Sequence, residues 1–208
     1  MIVLVSGATS TVQKYAASKN LGCLLTPRSR NSLESMVGLP WAADNDCFNG
    51  FDERAQTRFM SMLDKIRGTS PLFVTAPDVV ADAAATLELF ETWEPIIRAH
   101  GLPVAYVLQD GQERLCMPWG RCDAVFIGGS TEYKLGDKVR WLVREAKWRG
   151  KWVHMGRVNS QARLSYARDI GCDSVDGTGY SMFPEANLPD ALRFLQYDQE
   201  VIQFDEAY

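Results

Sequence analysis

The sequence predicts a (β/α)8-type barrel, on three observations. Short apolar runs recur along the chain, helical patterns follow most of them, and three of those helices stop just before a glycine. Strands alternating with helices imply a parallel sheet covered by helices, and eight candidate strands suggest that the sheet closes. An open, doubly wound parallel sheet is the alternative, because 208 residues is short beside the ~250 typical of a barrel.

In chain order the apolar runs fall at 2–5, 22–26, 39–44, 72–76, 104–109, 124–128, 152–155 and 173–176. Helical periodicity follows at 52–67, 81–100, 135–149, 160–170 and 190–197, and the second, third and fourth of these end at Gly101, Gly150 and Gly171. A glycine there supplies the left-handed turn that closes a helix. The second and third units look abbreviated. The turn Ser6-Gly7-Ala8-Thr9 keeps one glycine of a dinucleotide-binding loop and lacks those that approach a pyrophosphate, so it reads as a plain strand-to-helix turn.

Hydrophobic residues make up 46% and charged residues 23% of the chain, the balance of a soluble domain, and one domain over 1–208 is expected. No apolar run is long enough to span a membrane. The apolar start, Met1 to Val5, lacks a basic leader and reads as a strand, so a cytoplasmic protein without membrane contact is expected. Five cysteines without a CxxC pair fit reduced thiols. With His100 and His154 as the only histidines, no zinc-ligand spacing exists, and neither metal nor organic cofactor is expected. A net charge of -4 disfavours a general nucleic-acid binder. Lys134, Lys138, Arg140, Arg144, Lys147, Arg149 and Lys151 crowd one stretch, which fits either a solvated helix face or a phosphate-contacting one.

Polar residues cluster at the carboxyl ends of the strands, where barrel active sites form. They are Asp44, Asp78, Gln109, Gly128, Gly129, Gly156 and Asp176. Asp78 alone would also serve as a cap for the following helix. No lysine stands at a strand end, which disfavours Schiff-base chemistry. Clustered carboxylates also suit Mg²⁺, so a Mg²⁺-dependent enzyme acting on a phosphorylated small molecule stays open.

The order of these segments resembles the tRNA-guanine transglycosylases and their DNA-acting 7-deazaguanine relatives of phages and bacteria. Phe73 to Asp82, containing Ala76-Pro77-Asp78, is similar to the base-recognition segment of that family, and Val107-Leu108-Gln109-Asp110-Gly111 to its glutamine-glycine segment. Phe126-Ile127-Gly128-Gly129 resembles its isoleucine-glycine-glycine turn, and His154-Met155-Gly156 its methionine-glycine. Gly171-Cys172-Asp173-Ser174-Val175-Asp176 resembles the run ending on its nucleophile, and Ala43-Asp44-Asn45 its general acid/base. The family's zinc subdomain has no counterpart here. Its Asp-Ser-Gly-Gly is Asp44-Asn45-Asp46-Cys47, and Gly177-Thr178-Gly179 follows the nucleophile position.

The resemblance implies Asp176 as nucleophile and Asp44 as general acid/base, with Asp78, Gln109, Gly128, Gly129, Met155 and Gly156 holding the base. It implies replacement of guanine by a 7-deazaguanine through a covalent aspartyl–sugar intermediate. The partners would be a nucleic acid, with the departures favouring DNA over tRNA, and a free guanine or 7-deazaguanine. A non-catalytic module that holds a deazapurine is the other alternative.

Overall fold

In a computed structural model, which describes residues 1–7, 9–29, 33–36 and 38–205, eight parallel strands close into a barrel in chain order. They are β1 (Ile2–Val5), β2 (Leu21–Leu25), β3 (Trp41–Ala43), β4 (Val74–Thr75), β5 (Val104–Leu108), β6 (Ala124–Ile127), β7 (Trp152–Met155) and β8 (Ser174–Asp176). Pairing of β8 with β1, Val3 opposite Val175 and Leu4 opposite Asp176, completes the ring. Closure excludes the open doubly wound sheet.

The helices are α1 (Thr9–Lys14), α2 (Glu53–Ile66), α3 (Ala83–Ala99), α4 (Thr131–Leu135), α5 (Asp137–Trp148), α6 (Gln161–Asp169), α7 (Thr178–Met182) and α8 (Pro184–Asp205). Ala8, in the first turn, lies outside the described residues. Side-chain oxygens cap four helices: Asp52 for α2, Asp82 for α3, Ser130 for α4 and Ser160 for α6. Each satisfies a backbone N–H that the first turn leaves without a partner. Gly101, Gly150 and Gly171 all adopt positive φ just past α3, α5 and α6, as their positions in the sequence predict. Two boundaries differ. The expected 135–149 helix begins after an extended Gly136, which separates it from the short α4. The last helix starts at Pro184, before the expected 190. Between β2 and β3, a 3-10 turn at Leu33–Met36 stands among the described residues where a full helix would be, whereas the third unit, expected to be abbreviated too, carries the 14-residue α2.

Side chains alternate between the two sides of each strand, and this parity sorts the core. Leu4, Leu24, Ala42, Phe73, Ala105 and Ala124 pack together inside the barrel. Their neighbours, such as Val3, Ala43, Val74, Val125 and Met155, pack outward against the helices. Continued upward by two, the inward rows reach Ser6, Thr26, Asp44, Gln109, Gly128, Gly156 and Asp176, which all line one cavity. The rows thus turn from apolar to polar at the carboxyl mouth.

None of the five cysteines is paired. No described helix is long and apolar enough to cross a membrane.

Candidate active site

The mouth opens on a cavity of about 440 Å³, within the roughly 300–1,000 Å³ of small-molecule sites. Asp44, Asp78, Gln109, Gly128, Gly129, Gly156 and Asp176 all line it. Met155 does not: one position before the inward Gly156, it is buried on the helix side of β7. Its assignment to base binding is therefore corrected by strand parity.

Asp82, not Asp78, caps α3, which frees Asp78 for the cavity. Its Oδ1 accepts a 2.7 Å hydrogen bond from the Asn45 amide, and its Oδ2 a 2.6 Å bond from the Gln109 amide. Asn45 also donates to the Ala76 carbonyl at 2.7 Å, and Gln109 accepts from the Ala81 N–H at 2.9 Å. Two amides thus brace one carboxylate. Each Asp78 oxygen keeps a second lone pair, and the Gln109 amide keeps a second N–H. Burial pushes the Asp78 carboxyl up, against the two amide bonds and the charges of Arg157 and Lys134.

Asp44 and Asp176 stand at the ends of β3 and β8. Burial, then the charges of Asp176 and Asp78, push Asp44 up to about 8, and the Asn45 backbone N–H offsets them in part. Burial also works against the Asp176 anion. Opposing it are, largest first, the His154 hydrogen bond, the charge that His154 carries when protonated, the Arg157 backbone N–H and the Lys134 charge, and they hold this carboxyl below its usual range. His154 Nε2 lies 2.9 Å from Asp176 Oδ2, and the Arg157 N–H donates to Oδ1 at 3.1 Å. Two carboxyls whose surroundings drive their proton affinities apart are the signature of an acid beside a nucleophile.

Sequence position alone does not reveal three of these neighbours. Lys134 belongs to the basic run, yet it is buried on α4 and lines the cavity, its Nζ donating to the Gly156 carbonyl at 2.6 Å. Burial, then the Arg157 charge, lowers it to about 8 against the pull of Asp176 and other charges. A lysine does therefore reach the site, from a helix and not from a strand end. Arg157 adopts a left-handed φ of 62°, unusual for a residue with a side chain. Its guanidinium donates to the Gly129 carbonyl at 2.5 Å and lies 5.4 Å from the centre of the exposed Phe48 ring. His154, the third, is fully buried inside the barrel. Its inward parity in β7 is the one signal the sequence carries for it.

The glycines at the mouth are dictated by crowding. A Cβ on Gly128 would come 2.7 Å from the Gln109 amide nitrogen. On Gly129, at φ 79°, it would come 2.6 Å from an Asp110 oxygen. That carboxylate holds the next residue, accepting from the Ser130 N–H at 2.8 Å and its hydroxyl at 2.6 Å.

The rest of the basic stretch is largely engaged. Lys138 pairs with Glu113, Lys147 with Asp173 and Arg149 with Glu145. Arg140 lies over the Tyr166 ring. Among the described residues, no group of three or more His, Cys, Asp or Glu side chains is placed to hold a metal ion.

No family model matches the chain, and no curated protein matches it. Among solved structures, the chain is similar to a mandelate oxidase mutant carrying an FMN adduct. Identity is 17% and the TM-score 0.57, over 93% of this chain and 69% of that one. An HpcH/HpaI aldolase from Desulfitobacterium hafniense DCB-2 matches over 99% of this chain and 92% of its own, at 11% identity and a TM-score of 0.49. A c-di-GMP complex of the PaMucR phosphodiesterase matches over 81% and 64%, at 11% and 0.38. The oxidase, alone of these three, is close enough in shape to bear on architecture. At 17% identity it speaks for the barrel fold and for nothing finer.

Proposed function

We propose that the cavity exchanges a purine base on a nucleic acid, replacing guanine with a 7-deazaguanine by way of a sugar ester on Asp176. The observation that carries this reading is the pairing of Asp44, held toward its acid form, with Asp176, held as the anion, in one cavity. The braced Asp78 stands beside them.

The chemistry follows from those proton affinities. The Asp176 carboxylate attacks C1′ of the nucleoside, the C1′–N9 bond breaks, and its electron pair leaves with the purine. The Asp44 carboxylic acid protonates that departing base and becomes a carboxylate. An incoming 7-deazaguanine gives its N9 proton to Asp44, and its N9 attacks C1′. The ester C–O bond then breaks and frees Asp176. Two displacements retain configuration at C1′, the logic of retaining glycosidases. The free lone pairs of Asp78 match the N1–H and N2–H donors of a guanine edge, and the spare Gln109 N–H matches O6. Lys134 and Arg157 favour the anionic form of Asp78, the form that accepts from both.

A base inside a duplex must leave the stack to reach this cavity, at a cost of roughly a few kcal/mol. The exposed Phe48, beside Arg157 at the mouth, offers a face against which such a base can stack. DNA is favoured over tRNA on the departures from the family's pattern at Asp44-Asn45-Asp46-Cys47 and at Gly177-Thr178-Gly179.

The deciding experiment incubates the protein with DNA or tRNA and labelled guanine or 7-deazaguanines, then measures label in each polymer. Incorporation into DNA is expected. Label in neither polymer, with no covalent adduct under denaturing mass spectrometry, overturns the reading.

A further inference from the structure

Below the mouth, a chain of hydrogen bonds runs through the barrel interior and ends on Asp176. The Trp152 indole nitrogen lies 2.8 Å from Ser174 Oγ, Ser174 Oγ lies 2.8 Å from His154 Nδ1, and His154 Nε2 lies 2.9 Å from Asp176 Oδ2. None of the exchange steps above uses Trp152, Ser174 or the His154 proton.

Donor and acceptor accounting fixes every proton along the chain. An indole N–H can only donate, so Ser174 Oγ accepts from it. Ser174 has one hydroxyl hydrogen, and the unshared pair on His154 Nδ1 is the acceptor within reach. A neutral imidazole that accepts at Nδ1 carries its proton on Nε2, and that proton points at Asp176. An imidazolium would put hydrogens on both nitrogens and strand the Ser174 hydroxyl hydrogen in a buried place, which costs ~1–3 kcal/mol. His154 is fully buried, between the Phe73 and Phe126 rings with centroids at 5.2 and 4.6 Å.

We infer that His154 is a positioning residue: Trp152 and Ser174 lock it as the Nε2–H tautomer, and it holds Asp176 as an aimed anion without exchanging a proton. Its consequence for turnover rests on the reading of Asp176 as nucleophile. The tautomer and its hold on Asp176 do not. The other charged and titratable groups acting on Asp176 are Asp44, Lys134, Arg157 and Tyr180. All four are unchanged in the variants below.

The chain contains two histidines, so long-range ¹H–¹⁵N spectra of ¹⁵N-histidine protein resolve His154 once His154→Phe identifies its signals. The expected spectrum shows a protonated Nε2 and a bare Nδ1, and Ser174→Ala, which takes the donor from Nδ1 and leaves Asp176 at Nε2, shifts the Nδ1 resonance. Carboxyl ¹³C titration, assigned with Asp176→Asn, should show the Asp176 midpoint rising by about one unit or more in His154→Phe. His154→Gln, whose amide N–H reaches the place of Nε2, should recover part of that rise. In exchange assays kcat should fall in His154→Phe with KM for the free base unchanged, and recover in part in His154→Gln. A protonated Nδ1 in the parent protein, or an Asp176 midpoint unmoved in His154→Phe, overturns the inference. If His154→Phe does not fold, the Ser174→Ala spectrum decides, and an Nδ1 resonance that does not move there is equally fatal. The expected spectra in a protein that exchanges no base would overturn the transglycosylase reading and leave the positioning role of His154 standing.

Discussion

Asp44 and Asp176 are the same residue type, at inward positions on the same rim, three steps apart round the barrel, and their surroundings treat them in opposite ways. Asp44 has burial against its charge, three carboxylates for company, Asp176, Asp78 and Asp46, and a backbone N–H for relief, and it is pushed up to about 8. Asp176 receives a hydrogen bond on each oxygen, with a buried lysine near by, and is held down. Position on the rim decides which residues meet. The side chains around them, from strand, loop and helix alike, decide what each one is. Arg157 lies in the loop after β7 and Lys134 in the helix after β6, and both serve Asp176.

The largest expected effect falls on the anionic partner. Asp176→Asn keeps the shape and removes the charge, so base exchange should drop by about 10⁴-fold or more and no sugar adduct should form under denaturing mass spectrometry. Exchange at the parent rate would remove the basis for the contrast. The acid partner should matter less. Asp44→Asn loses proton transfer, worth ~10²–10⁴-fold, and keeps the nucleophile, so slow turnover or an accumulating adduct is expected. Equal and complete loss in both variants would mean that the two aspartates do not divide the work.

The contrast also has a pH signature. Asp44 is an acid below about 8, so pre-steady-state adduct formation should be level below that pH and fall about tenfold per unit above it. Lys134 loses its proton near the same point. Repeating the profile in Lys134→Gln assigns the limb, which should persist if Asp44 carries it.

Stability should respond with a definite sign. A carboxyl whose folded value lies above its unfolded one opposes folding increasingly as pH rises from about 4 to about 8. Asp44→Asn should therefore stabilise the fold above that window and be neutral below pH 4. Asp44 is half-buried and the cavity admits water, so the gain is discounted to roughly 2–4 kcal/mol. Thermal melts across that window measure it, and a gain independent of pH would contradict the raised acid.

The smallest effect lies outside both walls. Arg144 is exposed on α5 between the exposed Trp141 and Trp148. Arg144→Glu should weaken polymer binding slightly and lower the salt slope by about one, with both aspartates' chemistry untouched. An unchanged slope would mark α5 as ordinary surface.

The sequence makes the strand ends legible because apolar runs stop at polar or glycine residues, and because period-two alternation carries inward rows onto the rim. Asp44, Gln109, Gly156 and Asp176 are found that way. The resemblance, which takes methionine and glycine together, places Met155 in the site, whereas strand parity turns it toward the helices. Lys134 escapes because it sits in a charge run that reads as solvated surface. The break at Gly136 makes α4 a separate short helix, and the rotation that turns one lysine inward has no periodic trace over five residues. His154 escapes because a histidine in an apolar strand shows its partners only when β8 lies beside it. Arg157 escapes because left-handed backbone at a residue with a side chain follows no local rule.

Gly156 and Phe126 share one space at the floor of the mouth. A methyl on its Cα would meet the Phe126 ring carbons at 2.7 Å and stand 3.4 Å from Asp176 Oδ2. An alanine at 156 therefore requires the far end of the Phe126 ring to move aside or residue 126 to be smaller. Either adjustment reshapes the floor beneath Asp176 and leaves Asp176 itself unaltered.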